Sequence, residues 1–247
     1  MSARILSVLT LAATLLLPAT QASAGDFAKV DVLGFSASGD HFAFEEYGIQ
    51  DGSGFPYSNI YVIDTARDSW VRGSPFRRLD EIDDSVPVDF DAELARTRAA
   101  NARTARQTLA ASDIAGHGRT VGHNPPTELS ANPHEMLVLP RMIAPTSDTP
   151  LRLILEEIAV PAQSECPSGF GEVRGFRLLL TDQAGTRVLN EDRRVPTSRG
   201  CPLRYRIERV ITHHPQAGSP RFAVLIQMET IGFEGPNGRF LAITGAL

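Results

Sequence analysis

The residues best equipped for chemistry crowd into one stretch of the chain: Glu45, Glu46, Tyr47, Asp51, Phe55 and Tyr57. Their carboxylates are acceptors, their rings are flat apolar faces, and Gly48, Gly52 and Gly54 permit close approach, a set suited to a sugar, a cation or a peptide. Hydrolysis, possible with metal assistance, would need Glu45 or Glu46 together with a histidine delivered by folding. Six histidines are present, but His117, His123 and His134 follow no zinc-ligand spacing. His213 and His214 are adjacent at a strand end, where neighbouring side chains diverge. Asp51-Gly52-Ser53-Gly54 lacks the alternating acidic ligands and closing glutamate of an EF-hand, so no metal site is expected. Gly34-Phe35-Ser36-Ala37-Ser38 lacks the last glycine of a nucleophile elbow and leads into a strand, not a helix. No catalytic residue and no cofactor is assigned.

The elements that must position these groups are mostly strands. Ala28, Val30 and Val32 alternate with polar neighbours, Phe42 and Phe44 share a face of the run from His41 to Tyr47, and Ile60 to Ile63 is apolar on both faces. Asp89 or Asp91 is the N-cap expected for one helix, Ala92 to Ala111. Its stripe of Leu94, Ala102, Ala105 and Leu109 is interrupted by Arg98, while Arg96, Arg103 and Arg106 mark a solvated face. His117 to Pro133, rich in glycine and proline, reads as an irregular crossing, which makes about 89–133 a helical and irregular insertion. Strands resume at Met136 to Leu139, Leu151 to Ile158, Gly175 to Leu180 and Thr186 to Leu189. Arg204 to Ile211 predicts a strand with one wet face, and Phe222 to Met228 a central one. The fold class is mainly β: irregular antiparallel sheets with blade-like hairpins, a sandwich or partial propeller, and one inserted helix.

An apolar run from Ile5 to Leu17 after Arg4, with Ala22-Ser23-Ala24 before Gly25, is the pattern of a cleaved secretory signal, too short to span a bilayer. The mature chain from Gly25 to Leu247 is expected to be a single secreted or periplasmic domain with no membrane span. Losing Arg4 moves the formal net charge from -5 to -6, an acidity that argues against general affinity for nucleic acid. Cys166 and Cys201 are the only cysteines, and in an oxidising compartment they predict one disulfide. Closing a loop of that length stabilises by roughly 3.5 to 4 kcal/mol as an upper figure.

The segment Phe35-Ser36-Ala37-Ser38-Gly39-Asp40-His41-Phe42-Ala43-Phe44, followed by Ile60-Tyr61-Val62-Ile63-Asp64, resembles a single blade of the TolB-like propellers. Over nearly the whole mature chain, FAFEEYGIQDGSGFPYS from Phe42, SRGCP from Ser198 and GFEGP from Gly232 resemble a family of predicted secreted bacterial proteins of unknown function. That resemblance implies secretion and a disulfide-bearing architecture and carries no activity with it. The leading expectation is a non-enzymatic protein that binds a partner protein or envelope component through the acidic and aromatic loop near Tyr47. The alternatives are the hydrolase built on Glu45 or Glu46 with a histidine, and a purely architectural envelope component.

Overall fold

A computed structural model describes residues 25–83, 85–145, 148–161, 166–167, 169, 171–233 and 235–247; the expected leader, Met1 to Ala24, and its cleavage site lie outside them. Strands β1 (Lys29–Ser36), β2 (His41–Ile49), β3 (Pro56–Asp64) and β4 (Ser69–Trp70) form an antiparallel meander in the order β4-β3-β2-β1. β5 (Phe76–Leu79) joins the same edge of β3, pairing Ile60 with Phe76 and Tyr57 with Leu79. A bulge in β1 needs Gly34 at φ +92, because a Cβ there would meet the Gly116 backbone at 2.6 Å.

Helix α1 (Phe90–Ala111) starts as expected, with the Asp89 carboxylate accepting from the Ala92 amide at 3.0 Å. Its buried face differs from the apolar stripe: Thr97, Asn101 and Ala105 point inward, and Ala102 is exposed. The spacing of four brings these three into line, and hydrogen bonds replace apolar contact. Asn101 Nδ2 donates to the Ser58 carbonyl at 2.8 Å, the Ser58 hydroxyl at 2.9 Å and the Phe76 carbonyl at 3.0 Å, and Thr97 donates to Asp80 at 2.8 Å.

The expected irregular crossing after α1 contains two short strands. β6 (Ile114–His117) completes the first sheet beside β1, and β7 (Arg119–His123) begins another, with Gly116 at φ +73 inside β6 and Gly118 at φ +106 between the two. β8 (Glu135–Val138), β9 (Leu151–Ala159), β10 (Arg174–Asp182) and β11 (Gly185–Glu191) make a second antiparallel sheet in the order β11-β10-β9-β8. β12 (Pro202–His213), β13 (Arg221–Thr230) and β14 (Asn237–Ala246) join β7 in the third, ordered β14-β13-β12-β7.

The third sheet is the middle layer. Phe222, Val224, Ile226 and Met228 of β13 pack with Leu153, Leu178 and Tyr205, whereas Ala223 and Leu225 face Phe35, Phe42 and Phe44 of the first sheet. Strand periodicity with both sets apolar requires a layer on each side, as the central placement of Phe222 to Met228 anticipates. On the far side of the first sheet, Ala105 of α1 packs on Ala43, Ile60 and Val62. The molecule is therefore mainly β, with antiparallel sheets stacked in layers and, among the described residues, no closed barrel.

β12 is a correction to the expected wet face. Glu208 is only 3 % exposed, its Oε1 shared by His123 at 2.8 Å and Arg209 at 3.1 Å, and Arg206 donates to Asn124 Oδ1 at 3.1 Å. A charge paired through one of its atoms can be buried, here with Glu208 Oε2 left without a partner among the described residues, and alternation of polar and apolar residues does not reveal it. Cys166 and Cys201 are bonded, with Cα atoms 5.7 Å apart. Among the described residues, no helix is long and apolar enough to cross a membrane.

Candidate functional site

Successive residues of a strand point to opposite faces, so β2 divides its two carboxylates between two layers. Glu45 turns toward α1, where Arg98 grips both its oxygens, Nε to Oε1 at 3.1 Å and Nη2 to Oε2 at 2.7 Å. The same Nη2 reaches Asp31 at 2.5 Å, and Ser58 donates to Glu45 at 2.8 Å. Arg98, the residue that interrupts the apolar stripe, is the helix's anchor on the sheet. Its guanidinium also lies 3.5 Å over the Tyr47 ring, whose hydroxyl donates to Asp31 at 3.3 Å. Burial raises the Tyr47 phenol above its ordinary value, and Asp31 adds to the effect.

Glu46 turns the other way, toward the third sheet. It accepts from Asn59 Nδ2 at 3.0 Å, the Tyr61 hydroxyl at 2.9 Å and the Phe240 amide at 2.7 Å. Burial pushes its carboxyl up, against the opposing pull of these bonds and of the Arg239 charge. Tyr57 is buried on the same side, donating to Asp26 at 2.8 Å beneath Arg239, 4.8 Å from its ring centroid. Its phenol is likewise raised by burial. Asp51 and Phe55 sit apart at the β2–β3 turn, which Gly52 and Gly54 close at φ +84 and +70. One Asp51 oxygen is buried there with no hydrogen-bond partner.

The six expected residues therefore divide among three places: Glu45 and Tyr47 against the helix, Glu46 and Tyr57 against the third sheet, Asp51 and Phe55 at the turn. Neither glutamate is exposed. The hydrogen bonds of Glu45 and Glu46 go to no histidine: His123 meets Glu208, and His134 and His213 meet the Tyr205 and Ala37 carbonyls. Among the described residues, no group of three or more His, Cys, Asp or Glu is placed to hold a metal ion.

Beside Glu46 opens a cleft of about 830 Å³. One wall is the first sheet, with Tyr61 stacked on Phe44 at 4.7 Å, Trp70 tilted against Tyr61 at 6.0 Å, and the Arg77 guanidinium 5.7 Å from the Trp70 ring centroid. A second wall is the 3-10 turn Thr197–Arg199 and the segment up to Cys201, tied by its disulfide to Cys166. The third is β14 from Phe240 to Ile243, an edge strand whose outward amides are partly occupied. Glu46 takes the Phe240 amide, and Asp68 Oδ1 takes the Thr244 amide at 2.7 Å and its hydroxyl at 2.9 Å. Burial raises the Asp68 carboxyl.

Two arginines of the cleft are matched, Arg199 by Asp192 at 2.6 Å and Arg239 by Asp26 at 2.5 Å. Arg77 has no carboxylate partner among the described residues. Trp70, Arg77, Thr197 and Ser198 were not singled out by sequence; the lone tryptophan and the string from Ser198 to Pro202 were the available signals. No curated protein and no solved structure matches the chain. A family model described as Predicted secreted protein (DUF2259) matches residues 43–246, which takes in both glutamates, all three cleft walls and the disulfide. With most of its length covered, the chain belongs to that family of predicted secreted proteins.

Proposed function

We propose that the protein is a non-enzymatic binding protein of the cell envelope, secreted or periplasmic, and that the cleft beside Glu46 is its binding site. The observation that carries this reading is the cleft's lining. Its volume lies in the range of small-molecule sites, an aromatic side chain stands 44 % exposed at its rim, and polar groups at its walls remain unengaged. The acidic and aromatic stretch of β2 contributes from behind: Glu46 holds β14 and Tyr61 in place, while Glu45 and Tyr47 fasten the helix. The apolar leader from Ile5 to Leu17 and the family's secretory character support the compartment.

Native mass spectrometry tests the proposal on mature protein purified from cells that make it. A bound species is expected on the wild type and is expected to be lost from Trp70→Ala. Identical spectra for the two proteins, with or without a bound species, would overturn it.

A further inference from the structure

We infer that the cleft takes a saccharide unit bearing one carboxylate, a uronic acid. This rests on the reading of the cleft as a binding site and adds the chemistry of its occupant.

Charge comes first. Of the three guanidiniums at the cleft, Arg199 and Arg239 are matched by Asp192 and Asp26, and Arg77 is the one left without a carboxylate among the described residues. One free guanidinium suits one carboxylate, which it binds through two parallel N–H donors. A polyanion would find no second free cation and would meet the Glu46 and Asp68 carboxylates in the same lining. Arg77 is held at the rim by its position over Trp70, with its guanidinium 5.7 Å from the ring centroid.

The neutral part of the ligand follows from the other walls. Trp70, partly exposed at the rim, offers aromatic surface of the kind on which the C–H face of a pyranose lies. Opposite it, the Thr197 and Ser198 hydroxyls carry no hydrogen bond among the described residues. The Asn190 amide donates to the Phe176 carbonyl at 3.0 Å and keeps its own oxygen open as an acceptor. Hydroxyls and an amide oxygen complement sugar hydroxyls, each of which both donates and accepts.

A peptide strand is the competing occupant, and the edge of β14 disfavours it. Strand addition draws its affinity from a row of main-chain hydrogen bonds. Here the amides of Phe240 and Thr244 are already given to Glu46 and Asp68, so only Ala242 between them can donate to a newcomer. An edge blunted in this way resists pairing.

Titration calorimetry of the mature protein with cellobiouronic acid and with cellobiose isolates the inference, because the two disaccharides differ in a carboxylate against a hydroxymethyl group. The wild type is expected to bind the uronate roughly tenfold or more tightly than cellobiose, the scale of one charge-assisted pair. Arg77→Gln should abolish that preference, bringing the two sugars to equal affinity, and Arg77→Lys should restore part of it. Equal affinity for the two sugars, an unaltered preference in Arg77→Gln, or tighter binding of the tripeptide Gly-Glu-Gly than of cellobiouronic acid would each overturn the inference. If neither sugar binds while Trp70→Ala still loses the species seen by mass spectrometry, the ligand class is wrong and the binding site stands.

Discussion

The two faces of β2 bury neighbouring carboxylates by different means. On the helix side Glu45 is neutralised by a cation, with Arg98 gripping both oxygens and Asp31 sharing the guanidinium. On the cleft side Glu46 is surrounded by neutral donors, an amide side chain, a phenol and a backbone N–H, and feels the nearest arginine only through its field. A bidentate ion pair fixes geometry and ties the helix to its face of the sheet. Single hydrogen bonds to separate elements hold a cleft open between them while leaving the carboxyl raised in pKa by burial. One strand thus fastens a helix with its odd residues and shapes a cavity with its even ones.

The largest expected effect breaks the first face. Arg98→Ala leaves Glu45 buried beside Ser58 without its cation, and urea denaturation should show a loss of about 3 kcal/mol, with the m-value unchanged and cleft binding retained in the folded protein. An equal loss of ligand binding would mean that the two faces are coupled and the contrast is false.

A smaller loss, about 2 kcal/mol, is expected for Glu46→Ala, which orphans the Phe240 amide and the Tyr61 hydroxyl together. The contrast sharpens with pH. Because the folded carboxyl titrates above its ordinary 4.5, the native state holds that proton more tightly than the unfolded chain. Stability from this group is therefore complete below 4.5 and is lost as pH rises through the raised value. Chemical denaturation of the wild type across this window should show that decline, and Glu46→Gln should lack it. The smallest effect belongs to Arg77→Gln, an exposed residue whose replacement should move stability by no more than about 0.5 kcal/mol. A larger change in its melting curve would make Arg77 part of the fold instead of the binding surface.

Much of the fold was legible. Two-residue alternation and apolar runs located strands in each of the three sheets but missed β6 and β7 in the stretch read as irregular, both-faced apolar runs marked β3 and β13 as interior, and Asp89 was one of the two residues offered as the helix N-cap. The disulfide followed from two cysteines and a compartment. What escaped was burial paid in hydrogen bonds: Thr97 and Asn101 inside α1 and Glu208 inside β12 look solvated to any pattern that weighs apolarity alone. The cleft escaped for another reason. Trp70, Ser198 and Phe240 become neighbours only through strand order and sheet stacking, which local periodicity does not encode. The glutamate pair was legible as a dense acidic cluster, but which residue faced which layer depended on partners far along the chain.

Trp70 is the chain's single tryptophan, and it stands at the rim of the cleft with Tyr61 6.0 Å away. Excitation absorbed by the phenol passes to the indole over so short a gap, and the indole's emission shifts to the blue when water leaves its face. The protein therefore carries its own dye, placed where an occupant would displace solvent. Its colour follows the cleft without a label, and no second tryptophan elsewhere contributes a background.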